Sequence, residues 1–119
     1  MKDNFLNVNF KSEYYIPIIE GKKTQTMRVP PARWDVKEDD MVVANFKGIP
    51  NKILLQITKV GYKNFRSIND EDAKREGFSS AAELKHVLEE IYTTYTLREY
   101  DRLYYYQFVV AGELDIVVE

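Results

Sequence analysis

The stretch Gly21-Lys22-Lys23-Thr24-Gln25-Thr26-Met27-Arg28 connects two predicted elements of the chain. A glycine that follows an apolar segment commonly ends a helix, so Gly21 predicts the end of a short helix over residues 12–19. The alternation over residues 24–28 predicts a strand after it. A helix that stops at a basic turn and is followed at once by a short strand is therefore the local structure we expect here.

One face of this strand carries an unusual set of side chains. Alternation places Thr24, Thr26 and Arg28 together, and we expect Lys22 and Lys23 at the mouth of the same face. An arginine fork can hold a phosphate, and a lysine that loses its proton on burial can activate a threonine hydroxyl. An exposed basic turn before an edge strand gives the same spacing, so these residues alone leave the alternatives open.

The remainder of the chain contains further strands and a pair of helices. Alternating or apolar segments predict strands over residues 5–10, 41–46, 52–60, 103–111 and 114–118. Gly61 predicts a bend or bulge, beyond which residues 62–65 are expected to continue the strand, and residues 93–102 are expected to form a loop or an irregular helix. Strands in sequence with helices inserted at two places indicate an α+β fold, with a curved mixed sheet that closes towards a barrel.

Two helices are predicted between the fourth and fifth strands. Asn69 is a candidate N-cap for the first helix, and Gly77 is expected to end it. Ser80 and Glu83 have the spacing of a capping box for the second helix. Its apolar residues recur with the period of a core-facing helix: Leu84, Val87, Leu88 and Ile91.

Composition limits the possible functions. The chain has 119 residues, which predicts a single domain over residues 1–119. It has no cysteine and one histidine, His86, so we expect no metal site and no cofactor. The net charge of −2 excludes a polybasic binder, so any contact with nucleic acid must come from a local patch. No apolar stretch is long enough for a membrane span and no signal peptide is evident, so we expect no membrane partner and a cytoplasmic location.

Aromatic residues are abundant, with nine tyrosines and a single tryptophan. Aromatic rings beside basic residues can stack the bases of RNA or of a nucleoside. Trp34 and Tyr62 are predicted to line the binding pocket, and Arg33 is the basic residue next to Trp34.

The segment over residues 21–28 closely resembles the G-x-K-x-x-T-x-R signature of the ASCH superfamily. Three further segments resemble that family in the same order: residues 34–42, which precede a core strand; residues 72–80 with 83–85, which match its helical insertion; and residues 105–108, which match its closing strand. Together these segments span most of the chain.

This resemblance implies a PUA-like mixed β-barrel with a short helix after the first strand, a two-helix insertion and a cleft beside the signature strand. The superfamily is thought to act on RNA or nucleotide-like ligands. One bacterial branch is a small amidohydrolase that removes the acetyl group from N4-acetylcytidine. Its lysine base, threonine nucleophile and glutamate fall on Lys23, Thr26 and Glu76 of this sequence.

The resemblance and the residues together leave several functions open. The first is a cleft that binds RNA or a modified nucleoside or nucleotide, with Lys22, Arg28, Arg33, Trp34 and Tyr62 as further ligand-binding residues. The second is an amidohydrolase acting on N4-acetylcytidine-like nucleosides. A ribonuclease is the third, and an adaptor domain with a degenerate site is the fourth. The oligomeric state stays open.

Overall fold

The computed structural model describes residues 5–93 and 96–114. A five-stranded sheet forms its centre, and three helices pack around it. The strands are β1 (Leu6–Phe10), β2 (Gln25–Arg28), β3 (Met41–Phe46), β4 (Ile49–Asn64) and β5 (Arg102–Leu114). The helices are α1 (Tyr15–Ile19), α2 (Asp70–Glu76) and α3 (Ala81–Ile91).

The sheet has the order β1-β3-β4-β5-β2, so β1 and β2 form its two edges. β1 and β3 run parallel, whereas the other neighbouring strands are antiparallel. The sheet curls into a half-barrel, which confirms the predicted mixed α+β fold with a short helix after β1 and a two-helix insertion before β5.

β4 and β5 form the longest pairing and contain the irregularities that help the sheet to curl. β4 includes the predicted strand over residues 52–60 and its expected continuation as far as Asn64, and it begins earlier, at Ile49. Its register with β5 shifts between Leu54 and Leu55 and again between Ile57 and Lys59, and not at Gly61, where a bend or bulge was predicted. Gly61 lies within the strand, where a Cβ atom would come 2.5 Å from the hydroxyl of Tyr105, so the glycine permits a close approach of that ring.

The ends of the inserted helices follow the predicted signals. Asn69 and Asp72 form a reciprocal capping box at the start of α2, and Gly77 ends it with a φ of 92°. The Ser80 side chain accepts a hydrogen bond from the backbone of Glu83 at the start of α3. The Glu83 carboxylate accepts from Ser79 instead of completing a capping box with Ser80.

Two apolar clusters lie on opposite faces of the sheet. The larger fills the inside of the curl and includes Val8, Phe10, Ile18, Trp34, Phe46, Ile57, Tyr106 and Phe108. The smaller packs α2 and α3 against the other face and includes Met27, Ile68, Ala73, Leu84, Leu88 and Leu103. Alternation along β5 therefore places Leu103 in the smaller cluster and Tyr106 and Phe108 in the larger one.

Other predicted elements differ in detail from the structure. The segment over residues 12–19 forms a 3-10 turn at Ser12–Tyr14 followed by α1, because Pro17 limits regular helical hydrogen bonding to a short stretch. The described part of residues 93–102 is irregular, and residues 94–95 lie outside the described chain. Of the strand predicted over residues 114–118, Leu114 ends β5 and the rest lies outside the described residues. No helix in the described chain is long and apolar enough to cross a membrane.

Candidate functional site

A cleft of about 170 Å³ opens where the curled sheet leaves its two edges apart. Asn9 of β1 and Arg28 of β2 lie on either side, and the Arg28 Nη2 donates across the gap to the Asn9 carbonyl oxygen at 3.2 Å. The apolar stripe of α3 forms one wall: Leu84, Val87, Leu88 and Ile91. The predicted core-facing stripe of this helix is thus shared between the smaller apolar cluster and the cleft.

A buried ion pair lies in the polar wall. The Lys23 Nζ is 3.3 Å from the Glu76 Oε1, and the side chains are only 3% and 4% exposed. The Nζ also donates to the carbonyl oxygens of Gln25 at 3.0 Å and Glu76 at 3.3 Å. These three acceptors take up the three hydrogens of an ammonium group, so this arrangement suits a protonated Lys23 that has no lone pair to act as a base.

Burial shifts the pKa values of the two partners in opposite directions. It lowers the pKa of Lys23 below its ordinary value, an effect that attraction to Glu76 partly offsets. It also raises the pKa of Glu76, again against the attraction of Lys23. Because the two pKa values move towards each other, transfer of a proton from the lysine to the carboxylate costs less here than in water.

The second carboxylate oxygen, Glu76 Oε2, is buried and has no hydrogen-bond donor within 3.5 Å in the described chain, although the Gln25 side chain is near enough to help to lower the pKa of Glu76. A buried acceptor without a donor costs free energy, and the cost is larger for a charged group. Glu76 lines the cleft, so a ligand bound there would lie next to this carboxylate.

Thr26 and Arg28 form the adjacent part of the wall. Arg28 Nε donates to the Thr26 Oγ1 at 3.2 Å, which confirms that the two side chains share one face of β2. The guanidinium lies against two rings that contact each other, with its Cζ 5.2 Å from the centroid of Phe10 and 4.9 Å from that of Trp34. Burial lowers the pKa of Arg28, but a guanidinium stays charged at any physiological pH.

The position of Glu76 depends on how α2 docks against β2. The Thr24 amide donates to the Arg75 carbonyl oxygen at 2.7 Å, which ties the last turn of α2 to the start of the strand. At the other end of the helix, Gln25 donates to the Asp72 Oδ1 at 3.3 Å. Lys63 of β4 reaches the same carboxylate at 2.6 Å. α2 is thus held at both ends against the sheet.

The predicted site residues fall into three groups. Lys23, Thr26, Arg28 and Glu76 line the cleft together. The Lys22 side chain is exposed and pairs with Glu20 at 3.2 Å, so it does not join the Lys23 side chain at the cleft as expected. A separate cavity of about 180 Å³ is bordered by the remaining three: Arg33, Trp34 and Tyr62.

Two tyrosines of the cleft were not predicted. The Tyr14 ring centroid lies 4.7 Å from the Lys23 Nζ, and Tyr92 borders the opposite side. Burial raises the pKa of both phenols. Tyr14 follows no periodic pattern that would have placed it beside Lys23. In the described chain, no three histidine, cysteine, aspartate or glutamate residues cluster so as to hold a metal ion.

Comparison with known proteins gives the fold a name. No protein-family model and no curated protein matches the sequence. Among solved structures, an ASCH domain from Lactobacillus crispatus JV V101 superposes with a TM-score of 0.76 at 16% identity, covering 91% of this chain and 80% of that one. Protein EF3133 from Enterococcus faecalis V583, described with the family model DUF984, has a TM-score of 0.69 at 14% identity over 82% of this chain and 66% of its own. Hypothetical protein PH0355 has a TM-score of 0.66 at 17% identity over 90% and 99%. The resemblance noted in the sequence is thereby confirmed at the level of structure: this chain has the ASCH, PUA-like fold.

Proposed function

We propose that the cleft binds a modified nucleoside or nucleotide, either free or within an RNA. The observation that carries this proposal is the buried Glu76 carboxylate, whose Oε2 has no hydrogen-bond donor among the described residues. A ligand N–H group would supply the missing donor and remove the cost of the unpaired oxygen. The exocyclic amine or amide of a nucleobase is such a group.

The other walls of the cleft support a ligand of this kind. The apolar wall from α3 offers a surface for a flat ring, and Arg28 offers donors to a carbonyl or phosphate oxygen. The volume of about 170 Å³ lies below the range of drug-sized pockets, which favours one nucleoside over a longer ligand inside the cleft.

Binding can be measured by the fluorescence of Trp34, the only tryptophan of the chain, because Arg28 lies directly over its ring. We expect saturable changes with cytidine or N4-acetylcytidine. Glu76→Gln should weaken this binding roughly tenfold, because a charged acceptor is lost. Glu83→Gln on the exposed surface of α3 is the matched control. Equal affinities of the two variants, or no saturation with any nucleoside, would contradict the proposal.

The Lys23–Glu76 pair favours a second candidate, the hydrolysis of an N4-acylated cytidine. Transfer of one proton from Lys23 to Glu76 would leave a neutral amine and a carboxylic acid. The amine then takes the proton of Thr26, whose oxygen attacks the acyl carbon, while Glu76 gives its proton to the departing amine. Water subsequently hydrolyses the acyl ester and releases the acid. The hydrogen bond from Arg28 would stabilise negative charge on the threonine oxygen.

This candidate predicts release of cytidine and acetate from N4-acetylcytidine, measured by chromatography. Thr26→Val should abolish turnover, whereas Thr24→Val, immediately before β2, should retain it, because Thr24 borders a different cavity. Binding without turnover by the unmodified protein would exclude hydrolysis and leave the binding proposal standing.

No comparable observation favours a ribonuclease or an adaptor domain. The cytoplasmic location likewise stays a prediction.

A further inference from the structure

A second cavity lies beside the cleft, with Trp34 between the two. The Arg28 Cζ is 4.9 Å from the centroid of the Trp34 ring, and Tyr106 stacks with that ring at 4.7 Å. Trp34 and Tyr106 also border the second cavity, together with Arg33, Tyr62 and others. The two cavities are therefore separated by a single layer of side chains.

Two arginines and two tyrosines form a continuous row of contacts at this cavity. The Arg102 Cζ lies 3.9 Å from the centroid of the Tyr62 ring, and the Tyr62 and Tyr104 rings meet edge to face at 6.2 Å. The Arg33 Cζ lies 4.7 Å from the centroid of Tyr104. We call these four residues, Arg102, Tyr62, Tyr104 and Arg33, the arginine–tyrosine ladder.

The strand register explains why the ladder forms on one surface. Tyr62 of β4 and Tyr104 of β5 are direct cross-strand partners, and Arg102 lies two residues before Tyr104 on the same face. Arg33 comes from the segment after β2. Arg28 is in turn the cross-strand partner of Tyr104, so the ladder begins next to the arginine of the cleft.

Arg33, Tyr62 and Arg102 of the ladder are exposed, and in the part of the chain that the structure describes neither arginine has a carboxylate partner. Tyr62 is 55% exposed, although it is a large aromatic residue. Within the described chain, the guanidinium groups of Arg33 and Arg102 form no ion pair and no hydrogen bond, and each lies over a tyrosine ring. Arg28 of the cleft likewise has no carboxylate partner within the described chain, whereas the neighbouring Lys63 pairs with Asp72. Two guanidiniums that have no carboxylate partner among the described residues, beside the exposed Tyr62 ring, indicate an anionic ligand that also has flat groups.

We propose that the arginine–tyrosine ladder binds single-stranded RNA next to the nucleotide that occupies the cleft. Arg33 and Arg102 contact phosphates, and a base stacks on the exposed Tyr62 ring or on a guanidinium plane. The inference rests on the proposed function, because the nucleotide bound in the cleft fixes which neighbouring nucleotides of the RNA reach the ladder. An acidic protein segment would satisfy the guanidiniums but would leave the rings without a stacking partner.

The experiment uses the whole chain and a fluorescein-labelled octamer of cytidine, with affinity measured by anisotropy at several salt concentrations. Arg33→Ala and Arg102→Ala should each weaken binding and each lower the salt slope by about 1, as expected for one lost phosphate contact. Arg98→Ala removes an exposed arginine outside the ladder and should leave both values unchanged.

Two substitutions at Tyr62 isolate the role of the ring. Tyr62→Leu keeps an apolar side chain but removes the stacking surface, so binding should weaken roughly tenfold. Tyr62→Phe keeps the ring, and binding should stay within twofold of the original protein. Because Tyr62 is exposed, both variants should fold, which circular dichroism verifies.

The outcomes separate the two proposals. If Arg33→Ala and Arg102→Ala weaken the octamer but leave the affinity for free cytidine unchanged, the ladder is supported as a site distinct from the cleft. No octamer binding, an unchanged salt slope in both arginine variants, or equal competition by a poly-glutamate peptide would overturn the ladder proposal. Failure of free nucleosides to bind, with intact octamer binding through the ladder, would instead overturn the function proposed for the cleft.

Discussion

Removal of one member of the Lys23–Glu76 pair should destabilise the fold far more than removal of both. In Lys23→Met the carboxylate stays 4% exposed and loses its ion-pair partner, which should cost about 3–5 kcal/mol of unfolding free energy. Glu76→Leu leaves the ammonium without its carboxylate and should cost a similar amount. Either loss is a large fraction of the roughly 5–15 kcal/mol that stabilises a domain.

The double variant Lys23→Met/Glu76→Leu should recover most of this loss. Apolar side chains of similar volume remove both charges, so no desolvated ion remains. Recovery should fall short by about 1 kcal/mol for each carbonyl that loses the lysine as donor, namely those of Gln25 and residue 76. The expected coupling free energy between the two positions is therefore more than about 2 kcal/mol.

Urea unfolding at pH 7 and pH 5 measures this cycle. In Lys23→Met the pKa of Glu76 should rise further above its unfolded value, because burial remains and the cation is gone. The folded state then binds more protons than the unfolded state above pH 4.5, so stability should fall as pH rises, by at most about 1.4 kcal/mol per pH unit. The double variant should lack this slope. Additive single effects, or a pH-independent Lys23→Met variant, would refute a tightly buried pair.

Two further predictions concern the support of the site. Gly61→Ala should lower the free energy of unfolding by about 1–3 kcal/mol, because its Cβ would lie 2.5 Å from the Tyr105 hydroxyl. Gly112→Ala on the paired strand is the control, because a Cβ there meets no atom within 4 Å. Equal losses of stability in the two variants, measured by urea unfolding, would contradict this prediction. Burial opposes ionisation of Asp72, but hydrogen bonds, led by that from Lys63, outweigh it and hold the pKa below its ordinary value. The stability that the ionised Asp72 contributes is present above its unfolded pKa and is lost as pH falls through its folded pKa. Asp72→Asn should therefore destabilise the protein by about 1–3 kcal/mol at pH 7 and by less at pH 3. A penalty that does not shrink in acid would argue against a paired carboxylate.

Local signals in the sequence predicted the elements that carry the site. The alternation of β2 predicted that Thr26 and Arg28 share a face, and the 3.2 Å hydrogen bond between them confirms it. The caps at Asn69 and Gly77 fixed the limits of α2, and hence the position of Glu76 in its last turn. These features depend on a few neighbouring residues, which is why they can be inferred without the fold.

The fates of the two adjacent lysines could not be inferred in this way. Lys22 and Lys23 were both expected at the mouth of the face, yet one is exposed and the other is 3% exposed. Both backbone amides donate to the Pro17 carbonyl oxygen, so the turn itself does not distinguish them. The difference arises because α2 docks beside the turn and covers the second lysine.

By itself, the sequence determined the order of strands and helices, the faces of the signature strand and the resemblance to ASCH domains. Tertiary structure alone decided that Lys23 and Glu76, 53 residues apart, meet in a water-excluded wall, and that Arg33 and Tyr62 belong to a different cavity. The physical reason is that alternation and capping are properties of neighbouring residues. Burial of a charge depends on which distant element covers it, and here that element is α2, held against the sheet by Asp72 at one end and by the Arg75 carbonyl oxygen at the other.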